Sequence, residues 1–140
     1  MQRYNSIMPQ AASNKKRPKY LSLTALLFEI RLPLAGWVSI LHRISGALLF
    51  IGTLWLLFML DRSLASARDF AFVVHYLHLW PVKLALLVLI WAYCHHFCAG
   101  IRFLLLETQR GWDKPTARLT SIIVLVAGLV LTAVFGVKLW

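Results

Sequence analysis

The chain has 140 residues, of which 60% are hydrophobic and 14% charged, with 15 Lys+Arg against 5 Asp+Glu. Such a chain lacks the polar surface to face water on all sides, which excludes a soluble single domain and confines the charges to the ends of buried segments. The formal charge of +10 does not make it a nucleic-acid binder, because no basic face interleaved with aromatic or polar readers is visible.

Residues 1–31 are expected to form a cytoplasmic N-terminal arm whose first twenty residues are polar and carry Lys15, Lys16, Arg17 and Lys19. Those twenty residues hold no short apolar stretch ending in a small-residue cleavage site, so they are not expected to be a removable leader. Three uncharged runs follow, 44–60, 84–101 and 119–137, of 17, 18 and 19 residues. A bilayer core of about 30 Å takes roughly 20 helical residues, so the first run must extend backwards through Arg43 and His42. The expected architecture is an all-α membrane protein with transmembrane helices at 32–60, 81–107 and 118–140, an outer loop at 61–80 and a cytoplasmic loop at 108–117. Pro81 suits the first turn of the second span, whereas Gly111 and Pro115 keep the inner loop from being helical throughout. Ten Lys or Arg residues precede the first span or lie between the second and third, against four on the other side. The positive-inside rule therefore places the N-terminus in the cytoplasm and the C-terminus outside, with Trp112 at the inner interface and Trp80 and Trp140 at the outer one. Cys94 and Cys98 lie inside an apolar run and read as small packing residues rather than a disulfide framework.

A charged group in hydrocarbon costs at least about 2.5 kcal/mol on insertion scales, so intramembrane ionisable residues call for a partner, a cavity or a cofactor. Ser39 and Arg43 are four apart, hence nearly aligned on one helix face, and His42 precedes Gly46 by one turn. Arg43 could equally snorkel to the inner interface while Ser39 and His42 bond to helix carbonyls. In the second span His95 and His96 are adjacent, about 100° apart around the axis, so they cannot both serve one metal. Periodicity barely separates them: His96 has Gly100 one turn on, and His95 has Ala99. Either could instead make an interhelical hydrogen bond. At 1.5 Å per residue His42 and His96 reach a common layer, roughly 15 Å and 9 to 16 Å from the cytoplasmic side, whereas His75 and His78 belong to the outer loop or the start of the second span. Histidine, arginine and serine clustered on two antiparallel helices suit haem, whose iron takes neutral imidazole and whose propionates take cations. They also suit a quinone, whose carbonyls take donors.

The run Ser39-Ile-Leu-His42-Arg43-Ile-Ser45-Gly46, followed in the next span by His96-x-x-x-Gly100-Ile-Arg102, resembles the cytochrome b membrane-anchor subunits of succinate dehydrogenase. With an Arg17-Pro18 arm, three spans and the same orientation, the likeness covers almost the whole chain, although the third span contributes only hydropathy. It implies that His96 is an axial ligand to haem b, that Ser39 and Arg43 belong to the ubiquinone site, and that His42 and Arg43 lie near the haem propionates. It also implies a second small membrane-anchor subunit that completes a heterodimeric bundle and supplies the other axial histidine. An iron–sulfur subunit and a flavoprotein subunit would dock on the cytoplasmic side of a bacterial-type inner membrane. One departure is visible: Phe103 and Glu107 stand where many members have His and then a carboxylate, usually Asp.

On that resemblance succinate is oxidised elsewhere, and the anchor holds the place where two electrons and two protons convert ubiquinone to ubiquinol. A cofactor-free structural anchor and a fumarate reductase anchor working in reverse are the alternatives. A transporter fits poorly, because none of the three uncharged runs contains a carboxylate for a cation path.

Overall fold

The computed structural model describes residues 32–108 and 113–138. The arm 1–31 and the expected roles of Gly111, Trp112 and Trp140 lie outside the described residues. Four helices follow in order: α1 (Leu34–Ala65), α2 (Ala67–Leu77), α3 (Trp80–Glu107) and α4 (Lys114–Val137). Three of them, α1, α3 and α4, are long and apolar enough to cross a membrane. At 1.5 Å per residue their 32, 28 and 24 residues extend about 48, 42 and 36 Å, each more than a hydrocarbon core. The all-α membrane architecture read from the hydropathy is the one observed.

Helix boundaries follow local chemistry. Pro33 precedes α1 and Pro81 occupies the first turn of α3, where a missing N–H costs nothing. Pro115 does the same for α4, so this proline opens a helix instead of keeping the inner loop irregular. Asp113 caps α4, its carboxylate accepting from the Thr116 amide at 3.0 Å and the Thr116 hydroxyl at 2.7 Å. The third span accordingly begins at Lys114, four residues before the boundary expected from the end of the charged segment.

The connection at 61–80, expected as a loop, contains α2. Ser66 is extended and accepts from the Asp69 amide at 3.1 Å while donating to the Asp69 carboxylate at 2.7 Å. This reciprocal capping starts a helix immediately after α1 ends. The signal was present in the sequence as Ser66-x-x-Asp69 before an apolar run.

Helix α3 packs on both α1 and α4. Lipid offers no hydrophobic incentive for helices to associate, so close approach depends on small residues at the contacts. Gly52 and Gly136 receive the side chains of Leu89 and Leu87, and Gly128 receives the backbone and side chain of His95. Val38, Ala99 and Val124 form the buried apolar centre. Most large apolar side chains of α1, α3 and α4 point outward, as a lipid-facing surface requires.

Candidate functional site

Two copies of the same spacing, His42-x-x-x-Gly46 on α1 and His96-x-x-x-Gly100 on α3, face each other on antiparallel helices. A Cβ added at Gly46 would lie 3.0 Å from His96 Cε1, and one added at Gly100 would lie 3.8 Å from His42 Nε2. Each histidine is therefore seated over the other helix's glycine. The rings stack with centroids 4.0 Å apart and planes 9° from parallel. His42 and His96 thus share one layer, as their depths required. Phe103 meets the His42 ring edge-on at 5.1 Å.

The hydrogen bonds around His96 select one tautomer of its neutral ring. Its Nδ1 lies 3.0 Å from the His42 carbonyl oxygen and 3.2 Å from Ser45 Oγ, while the Ser45 hydroxyl donates to the same carbonyl at 2.9 Å. A carbonyl only accepts, so this network assigns the proton of a neutral ring to Nδ1 and leaves Nε2 with a free lone pair. That is the tautomer a ligand histidine requires, with the non-ligating nitrogen oriented by a backbone oxygen. Ser45, fully buried, is the residue this arrangement adds to the sequence-based set. Its position in the S-x-x-H-R-x-S-G motif was its only sequence signal.

The stacking also limits what the pair can do. The lone pairs of two rings stacked face to face do not converge on one point, so His42 and His96 as placed would not hold a single metal ion between them. Among the described residues no cluster of three His, Cys, Asp or Glu side chains could hold a metal.

His95 has a different environment. It is 1% exposed, its backbone and Cβ pack on Gly128 of α4, and its ring stacks with Trp91 at 5.6 Å and lies beside the Val38 backbone of α1, enclosed on all sides. His96, by contrast, is only half-buried. Ser39 and Arg43 occupy adjacent turns of α1, half-buried and exposed respectively, and no hydrogen bond joins either to the imidazole pair among the described residues.

Arg102, counted among the cationic loop residues, is a buried strut. Its Nε donates to Thr120 Oγ1 at 3.1 Å and its Nη2 to the Ala117 carbonyl at 3.5 Å, tying α3 to the first turns of α4. The excess of cations on that side survives its removal from the count. Cys94 and Cys98 are free thiols within the bundle, buried and half-buried.

Residues 13–135 match the model of the succinate dehydrogenase/fumarate reductase transmembrane subunit family. The chain belongs to that family. Its curated relatives include the succinate dehydrogenase cytochrome b556 subunit of Coxiella burnetii, 35% identical over 91% of this chain and 99% of the relative. The protein of the same name from Paracoccus denitrificans is 33% identical over 74% of this chain and 79% of its own length. That from Rickettsia typhi is 30% identical over 87% and 92%. Membership in the family identifies the three apolar helices as membrane spans.

Proposed function

We propose that this chain is the haem b-binding membrane anchor of a succinate dehydrogenase, and that it contributes to the site where ubiquinone is reduced. The observation that carries this reading is His96 Nδ1 held by the His42 carbonyl and Ser45 Oγ, which leaves Nε2 available for iron. The names of the relatives support both the cytochrome b and the succinate dehydrogenase parts of this reading.

The donor set fits haem. His96 would supply one axial ligand, and the second would come from another small anchor subunit, since the stacked His42 cannot provide it. His42 and Arg43 would sit near the propionates. Bound between the two subunits, haem b would supply a one-electron carrier and a physical link between them. Gly46 excludes any side chain that would displace the His96 ring, and Ser45 keeps the ring in one orientation.

At the quinone site the exposed Arg43 guanidinium would stabilise negative charge developing on a quinone oxygen, and Ser39 one turn away would donate to a carbonyl. The excess of Lys and Arg supports a cytoplasmic N-terminus in a bacterial-type inner membrane and a periplasmic C-terminus. The flavoprotein and iron–sulfur subunits would then dock on the cytoplasmic side, close to Ser39 and Arg43.

The test uses the purified complex. Ser39→Ala or Arg43→Leu should suppress ubiquinone reduction while leaving succinate oxidation by a soluble artificial acceptor nearly unchanged. Loss of a hydrogen bond to developing charge costs about 1.5 to 3 kcal/mol, a tenfold to hundredfold fall in rate. Parental ubiquinone reduction by both variants, with the complex intact, would remove these residues from the site.

A further inference from the structure

Helix α2 lies outside the haem and quinone reading, and its side chains are sorted with an order that function leaves unexplained. At about 100° per residue, Arg68, Ala71, His75 and His78 fall on the arc opposite Val73, which is buried against the rest of the chain. The two flanks between core and ridge are apolar. Phe70 and Val74 form one, 57% and 40% exposed, and Phe72 with Tyr76 forms the other, Phe72 being 58% exposed. Their rings stack at 6.3 Å. Asp69 is the one charge on the apolar half, and Ser66 and Arg62 take up its carboxylate.

The level of α2 relative to the bilayer is fixed at both ends. The first uncharged run ends at Asp61, and Arg62 Nη2 binds Asp69 Oδ1 at 3.1 Å, so the first turn of α2 sits within about one helical turn of the hydrocarbon. Beyond its last turn comes Trp80, 64% exposed, four residues before the second uncharged run begins at Leu84. Exposed Phe58, Leu60 and Leu64 carry the lipid-facing surface of α1 up to α2 without a polar break other than Asp61, Arg62 and Ser63.

We propose that α2 is an interfacial membrane helix: it lies at the headgroup–acyl boundary with Phe70, Val74, Phe72 and Tyr76 inserted into lipid and the Arg68–His75 ridge in water. A helix with a charged ridge and apolar flanks, roughly 16 Å long and anchored at both ends at the interface, is suited to lie in that plane. A partner protein would cover one flank; two exposed apolar flanks on either side of a polar ridge fit a medium that surrounds the helix from below. The Arg68 guanidinium beside the headgroup layer is placed to meet lipid phosphate. The inference stands independently of the haem and quinone roles.

The experiment places trifluoromethyl-phenylalanine singly at positions 70, 72 and 75 in the full complex in lipid nanodiscs. Fluorine relaxation is then measured with dissolved oxygen, which concentrates in lipid, and with a water-soluble gadolinium chelate. At positions 70 and 72 the ratio of oxygen to chelate effect should exceed that at position 75 by at least about threefold. A ratio at 70 and 72 equal to that at 75 would place the helix in water and overturn the proposal. Protection of both positions from both agents would show them covered by protein, which overturns it equally. Native succinate oxidation by an artificial acceptor in the same samples verifies that the complex is assembled.

Discussion

Helix α3 makes two contacts that look alike in sequence and differ in chemistry. Toward α1 it presents His96, half-buried, over Gly46, with Nδ1 satisfied and Nε2 left free. Toward α4 it presents the backbone and Cβ of His95 over Gly128, while the His95 ring is fully enclosed beside the Val38 backbone of α1. One residue of displacement, about 100° of rotation, separates a half-buried ring from a fully enclosed one. Gly46 admits the His96 ring, whereas Gly128 admits the backbone and Cβ of His95. Hydrogen bonding and the remaining opening distinguish the two imidazoles.

The largest effect expected from this difference is spectroscopic. His96→Leu should abolish the bis-histidine signal of the complex in a reduced-minus-oxidised spectrum. His95→Leu should leave that signal in place and alter stability by about 1 kcal/mol, because an apolar side chain of similar size avoids burying a polar ring while losing its stack on Trp91 and its contact with the Val38 backbone. Loss of haem in the His95 variant with a normal spectrum in the His96 variant would invert the assignment.

A smaller effect separates the contacts mechanically. Gly128→Leu drives a side chain into the backbone of His95, whose Cα would lie 3.4 Å from even an added Cβ. Overpacking of a close helix contact costs typically 1–3 kcal/mol. The variant complex should lose several degrees in thermal inactivation yet show a haem spectrum of normal shape in the fraction that remains assembled. If the spectrum changed while the inactivation temperature did not, the α3–α4 contact would be reporting directly to the haem site.

These contrasts were only partly legible in the sequence. Three spans were, because long uncharged runs bounded by Arg, Lys and Asp have no other stable fate in a chain this apolar. The shared depth of His42 and His96 was legible too, because depth is residue count times rise. Which of His95 and His96 faces which helix was not: periodicity fixes their angular separation, but the zero of the angle is set by α1 and α4. The burial of Arg102 was hidden for the same reason, since an arginine at a span's end reads as a loop cation until Thr120 is found beside it. The helix α2 and the early start of α4 were written locally, in Ser66-x-x-Asp69 and in Asp113 followed two residues later by Pro115, and hydropathy passes over such caps.

Ser45→Ala sharpens the α1–α3 side of the comparison. It removes one of two groups near His96 Nδ1 and leaves the His42 carbonyl, so the tautomer persists while the ring is held less tightly. Loss of an orienting partner to a metal-bound histidine weakens binding by roughly tenfold or more when it is the sole partner; with the carbonyl retained, a few-fold rise in haem loss on dilution is expected. A spectrum and a haem off-rate indistinguishable from the parent would mean that the carbonyl alone orients the ring.

The smallest effect belongs to the α4 side and depends on pH. The Thr116 hydroxyl and amide hold the Asp113 carboxyl below its ordinary value of 3.8. Because the folded-state value is the lower one, the cap contributes fully above the ordinary value and is lost as pH falls through the folded one. Asp113 is exposed at the start of α4, so its loss should fray only the first turn, which carries the Ala117 carbonyl to Arg102. Amide exchange at Thr116 and Ala117, corrected for intrinsic rates, should keep constant protection from about pH 7 down to the ordinary value of 3.8 and lose it only below that. Asp113→Asn, which caps without titrating, should flatten that dependence, and Asp113→Ala should remove the protection at every pH. The His96 side should remain unmoved throughout, because α1 and not α4 holds that ring. A pH response in the haem spectrum of the parent that is absent from the Asp113→Asn complex would tie the α4 cap to the His96 side and dissolve the separation between the two contacts.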